Sequence, residues 1–153
     1  MQYWLFKSEP ETFSIDDLEI APNQTTCWDG VRNYQVRNFM RDLMKPGDLG
    51  FFYHSSCAIP GITGVISVTK SAYPDHTQFD PMHDHYDPQS KPDLPRWLMV
   101  DVTLQRKLKR MITLDELRQH INHLKDLRIL HKGNRLSVTP VTSDEWHYIL
   151  TLE

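Results

Sequence analysis

The sequence predicts an α+β fold, one domain of mixed strands and short helices, and three observations predict it. Runs rich in aromatic and β-branched residues lie at positions 2–7, 48–54, 62–70, 97–109 and 135–139. Ser14, Thr113 and Thr142 each precede a carboxylate by three residues, the pattern of a helix N-terminus. No internal repeat, heptad array or linker divides the 153 residues, so 1–153 read as a single domain long enough for a real core.

The elements follow in order. Residues 2–7 are dense in aromatic side chains and bounded by Ser8-Glu9-Pro10, as expected of a buried strand. The helix capped by Ser14 ends before Pro22, and a polar turn carrying Cys27-Trp28-Asp29-Gly30 follows. Val36, Met40, Leu43 and Met44 fall at i, i+4, i+7 and i+8, the apolar stripe of a helix stopped by Lys45-Pro46-Gly47. Residues 48–54 and 62–70 read as neighbouring strands across Pro60-Gly61. Positions 71–95 hold five prolines and three histidines with little apolar periodicity, a long surface excursion of the kind that often carries function. Residues 97–109 return to strand, with Leu98, Val100, Val102 and Leu104 alternating against Met99, Asp101 and Thr103. The helix opened by Thr113 runs through His120, residues 135–139 form a short strand, and a last helix carries Trp146, Ile149 and Leu150.

With 17 Lys/Arg against 20 Asp/Glu, the net charge of −3 argues against the broad phosphate-neutralising surface of an avid nonspecific nucleic-acid binder. The charge is unevenly divided: residues 1–95 hold 7 basic and 13 acidic side chains, residues 96–135 hold 10 and 4, and residues 136–153 hold 0 and 3. The basic segment is either a solvated face or a local phosphate-facing patch. Apolar runs such as 49–53 and 97–100 fall short of the ~18 residues of a membrane span, so no membrane partner is expected. The first residues lack the pattern of a cleaved leader, which makes the cytoplasm the expected compartment. Cys27 and Cys57 are too few for a disulfide scaffold and are expected to be reduced.

The common glycine-rich phosphate loops, the nucleophile elbow and the zinc-protease helix motif are absent. Asp75, His76, Asp80, His83, Asp84, His85 and Asp87 have the chemistry of metal ligands, but their spacing matches no closed site. They read as turn formers, and neither a metal nor a cofactor is expected. Cys57 near His54 suggests a nucleophile and base, yet residues three apart on a strand face opposite ways. The segment Trp28-Asp29-Gly30-Val31-Arg32-Asn33-Tyr34 differs in kind, placing an aromatic plane, an anion, a flexible glycine, a cation and a carboxamide at a helix start. Those are parts of a pocket for a planar polar ring: Trp stacking is worth ~1–3 kcal/mol per base, and Asp or Asn side chains pair with base edges. The competing reading makes Trp28 a core plug and Asp29 or Asn33 an N-cap.

Six blocks then carry a resemblance: Lys7-Ser8-Glu9-Pro10, Cys27 through Tyr34, Phe51 through Ser55, Ala72 through Asp75, Val100-Asp101-Val102 and Arg135 through Pro140. Together they resemble the EVE domain, as in the thymocyte nuclear protein family, over nearly the whole chain. The resemblance implies a PUA-like fold, a small bent β-barrel with short helices packed around it. It also implies a pocket for a modified base, with modified cytosine in DNA as the ligand class. The expected function is therefore a nonenzymatic nucleic-acid-binding module, a monomer, acting on DNA or RNA that carries a modified base. The expected pocket comprises Trp28, Asp29, Gly30, Val31 and Asn33, with Lys7, Ser8 and Glu9 at the end of the first strand and Tyr53, His54 and Ser55 at the end of another. Flanking phosphates are assigned to Arg32, Arg106, Lys107, Lys109 and Arg110. The alternative is an enzyme acting on RNA or on a small nucleobase-like metabolite.

Overall fold

Side chains on a strand point alternately to opposite faces, and the first strand buries both of its faces. In β1 (Tyr3–Ser8), Trp4 and Phe6 enter one apolar cluster and Leu5 enters another, and all three have zero exposure. The computed structural model describes residues Met1–Glu153. It adds β2 (Thr25–Cys27), β3 (Leu49–His54), β4 (Gly61–Pro74), β5 (Leu98–Thr113) and β6 (Val138–Val141) to one six-stranded sheet, in the order β2-β5-β4-β3-β1-β6. Only β1 and β3 pair in parallel, and the crossover between them carries α1 (Ile15–Ile20) and α2 (Tyr34–Asp42).

These two helices cover one face of the sheet with Ile15, Leu18, Val36 and Met40. The other face is covered by α3 (Leu114–Gln119), α4 (Ile121–Leu124) and α5 (Ser143–Leu150) through Leu117, Leu124, Trp146 and Ile149. The two clusters are thus the two sides of one sheet. The long strands β4 and β5 shift register at four places, and such irregularities bend and twist a ladder, curving the sheet around its helices. No helix is long and apolar enough to cross a membrane.

The expected helix starts are present as hydrogen bonds. Ser14 and Thr142 form reciprocal capping boxes with Asp17 and Glu145, while Thr113 accepts the Glu116 N–H at 3.1 Å. Three expectations need correction. The polar turn before Trp28 contains a strand, β2, which three residues of sequence could not declare and which pairing with Asp101–Thr103 creates. The last strand lies at Val138–Val141 rather than 135–139, and it runs through Pro140 because β6 is a sheet edge, where a missing N–H costs nothing. Residues 71–74 belong to β4, so the excursion begins at Asp75, which caps a 3₁₀ turn at His76–Phe79.

Candidate functional site

The turn between β2 and α2 is held by a carboxylate from the far side of the sequence. Gly30 has φ +81°, a conformation that L side chains rarely adopt, and its N–H donates to Asp75 Oδ2 at 2.7 Å. A Cβ on Gly30 would stand 2.6 Å from His85 Cε1, so the absence of a side chain lets the imidazole lie against the turn. Arg32 completes the clamp. Its Nη1 donates to Asp75 Oδ2 at 3.1 Å and to Val31 O at 2.8 Å, its Nη2 to Thr77 Oγ1 at 3.0 Å and His85 O at 2.7 Å, and its Nε to His85 O at 3.1 Å. Asp75 has no exposure, and burial alone would raise its pKa. Hydrogen bonds from Thr77, Gly30 and Arg32 outweigh that, holding the carboxyl below the usual carboxylate range.

Between this clamp and the end of β1 opens a cavity of about 680 Å³. Lys7, Ser8 and Glu9 line one side, and Trp28, Asp29, Gly30 and Val31 line another. Trp28 joins the first-face cluster, meeting Phe6 and Phe52 edge to face at 5.2 and 5.6 Å with 8% exposure, so it is core plug and cavity wall at once. Its indole N–H has no protein partner, whereas those of Trp4 and Trp97 bond Asp48 and Asp87. Lys7 is half-buried with no carboxylate beside it, and burial pulls its ammonium pKa below the ordinary value. Asp29 is exposed at the rim.

Other expected site residues lie elsewhere. Asn33 does not line the cavity: its Oδ1 accepts the Val36 N–H at 3.0 Å and caps α2. Side chains along β3 alternate between the two clusters, which takes Tyr53 away from the cavity. Tyr53 enters the opposite cluster, where burial pushes its pKa up to about 12, and Phe52 is the residue against Trp28. His54 Nε2 accepts the Ile15 N–H at 3.1 Å, and burial lowers its pKa against a weaker opposing pull from Asp16. Ser55 meets β1 only through its backbone N–H to Ser8 O. Arg32 is not a free phosphate contact, because every guanidinium nitrogen is engaged in the clamp.

The basic stretch of β5 is likewise occupied. Arg106 binds Glu153 in two-point contact at 2.8 and 2.7 Å, and Arg110 binds Glu116 at 2.7 and 2.6 Å. Lys107 reaches Asp16 at 2.5 Å, and none of these residues nor the exposed Lys109 lines the cavity. Residues that sequence reasoning left out of the site do line it: Thr12, Phe13, Thr26, Cys27, Asp84, His85 and Ser137. The available signal for His85 was the length of the excursion combined with a glycine directly after Trp28-Asp29. The Cys27 thiol is pushed up by burial, with the charges of Asp29 and Asp101 adding to it, which suppresses the nucleophilic thiolate. Nowhere do three His, Cys, Asp or Glu side chains converge as metal ligands.

The EVE domain family model matches residues 2–152. Human thymocyte nuclear protein 1 is 51% identical, the match covering 99% of this chain and 73% of that protein, and the zebrafish (Danio rerio) protein of the same name is 52% identical over 98% and 71%. Among solved structures, human THYN1 protein in complex with 5-methylcytosine-containing DNA superposes with a TM-score of 0.94 at 49% identity, covering 99% of this chain and 97% of that one. A protein from Pseudomonas syringae, PSPTO5229, gives 0.92 at 45% identity, with 98% of each chain covered.

Proposed function

The chain belongs to the EVE domain family and has its PUA-like fold, and from that premise we propose that it is a nonenzymatic reader of a modified base in DNA, with 5-methylcytosine as the ligand. The observation that carries this reading is the cavity at the end of β1, which gathers the Trp28 side chain, an unpaired half-buried ammonium and an exposed carboxylate within about 680 Å³. A pyrimidine extruded from a duplex costs a few kcal/mol to flip. Contact with Trp28 and His85 offsets part of that cost, and Lys7 and Asp29 offer a donor and an acceptor to the base edge. Because only 8% of Trp28 is exposed, its share lies near the lower end of the ~1–3 kcal/mol for a full stack. The suppressed Cys27 thiolate and a His54 ring whose Nε2 is already occupied in accepting the Ile15 N–H support binding over turnover.

A buried methyl is worth ~0.8 kcal/mol, which corresponds to about a fourfold preference for the methylated base. Titration of fluorescent duplexes that differ only in one cytosine methyl measures it. A preference of that order is expected, equal affinity overturns the reading, and conversion of a nucleoside or RNA substrate would favour the enzymatic alternative.

A further inference from the structure

A second concavity, of about 520 Å³, lies between α2 and the end of the excursion. Arg37, Arg41, Lys91 and Arg96 line it, and no carboxylate does. Neighbouring anions compensate these cations only in part. Arg41 meets the adjacent Asp42 in two-point contact at 2.8 and 3.0 Å, both side chains half-exposed, Arg37 forms no ion pair, and Arg96 stands 4.0 Å from Asp87, whose Oδ2 already accepts the Trp97 Nε1–H at 2.8 Å. Lys91 is exposed and forms no ion pair. On β5, by contrast, Arg106, Lys107 and Arg110 all meet a carboxylate at close range, whereas here Arg37 and Lys91 meet none.

The concavity is joined to the first cavity by a stack of two rings between two guanidinium groups. The Arg37 guanidinium lies 4.7 Å from the Tyr34 ring centre, Tyr34 stacks on Trp97 at 4.7 Å, and Arg32 lies 5.6 Å from the Trp97 ring. Arg32 in turn holds His85, a wall of the first cavity. An extruded base stays covalently tied to phosphates on both sides, so its strand must cross the surface beside the pocket. Guanidinium forks match phosphate oxygens, and each phosphate that a Lys or Arg neutralises releases condensed counterions from the DNA.

We propose that this groove holds backbone phosphates of the DNA strand flanking the base in the first cavity, with Arg41 and Lys91 as the contacts and Arg37 and Arg96 as the rigid part of the wall. The proposal rests on the base-reading function above. Its test is the double variant Arg41→Gln/Lys91→Gln, which leaves intact the Arg37 Nη1 bond to Arg96 O at 3.0 Å. Duplexes with and without one 5-methylcytosine are titrated over a range of salt. Both are expected to bind several-fold more weakly by a common factor, with the log-affinity against log-salt slope shallower by about 1.8, or about 0.9 per lost phosphate contact. Melting stays at the parental temperature, and Arg106→Gln/Lys107→Gln leaves the slope unchanged. A parental slope in the groove variant with the methyl preference intact overturns the groove. A shallower slope in a protein whose parent shows no methyl preference supports the groove and removes the base reading instead.

Discussion

The Asp75 carboxylate accepts the Gly30 backbone N–H at 2.7 Å and simultaneously faces the Arg32 guanidinium at 3.1 Å, fastening the start of the long excursion to the turn after β2. Asp75→Asn leaves the largely buried Arg32 without its counter-charge, and removing one partner of such a pair costs about 3 kcal/mol. Thermal melting should fall and oligonucleotide affinity with it, since His85 loses its anchor. A parental melting temperature would refute the clamp. The pH dependence has a definite sign. The native Asp75 pKa is depressed, so its stabilisation is complete above the unfolded value of ~3.9 and is lost as pH falls through the lower native value. The Asn variant should therefore lose less stability than the parent below about pH 4, read from melting temperature against pH.

Gly30→Ala tests the turn itself. The His85 ring is exposed and swings away from an added methyl, so the persistent cost is the positive φ, ~1–2 kcal/mol. The double variant Gly30→Ala/His85→Ala should melt no higher than Gly30→Ala alone. Recovery of stability in the double variant would place the cost in the clash instead.

Trp28 needs two substitutions because it serves the core and the cavity together. Trp28→Ala removes a buried aromatic and should destabilise by ~3–5 kcal/mol, taking binding down with it. Trp28→Leu keeps more of the buried volume, should melt nearer the parent, and should still lose about 1 kcal/mol of oligonucleotide affinity. Parental affinity in a folded Trp28→Leu protein would remove the indole from the site.

Asn33→Ala should cost about 1 kcal/mol through loss of the α2 cap, a drop of about 2–4 °C, while Asn33→Ser retains the cap and the melting temperature. Neither should change the preference for the methylated duplex. A selective loss of that preference in both variants would return Asn33 to the pocket.

Local signals survived the passage from sequence to structure best. The caps at Ser14, Thr113 and Thr142 depend on contacts three residues apart, and the α2 stripe placed Val36, Met40 and Met44 in the core while Leu43 stayed 41% exposed. Features created by distant pairing were illegible. β2 exists because β5 passes beside it, and Phe52 rather than Tyr53 meets Trp28 because nothing local says which side of the sheet a helix will cover. The Trp28 to Val31 wall was legible because its residues are contiguous. The compensation of Arg106, Lys107 and Arg110 was not, because Glu153, Asp16 and Glu116 approach only after folding. A charge count along the chain therefore pointed to β5, while Arg37 and Lys91, which meet no carboxylate, lie on α2 and in the excursion.

β1 sits between β3 and β6, so this strand has one neighbour from residues 49–54 and another from residues 138–141, far later in the chain. Until that final strand emerges, the aromatic-rich opening of the chain has an open hydrogen-bonding flank, and Leu5 and Phe51 await the cover that α5 brings through Trp146. Folding during synthesis consequently cannot complete this sheet until residues 138–150 are available, and the interval before then is when the exposed flank of β1 is most prone to aggregate or to engage a chaperone.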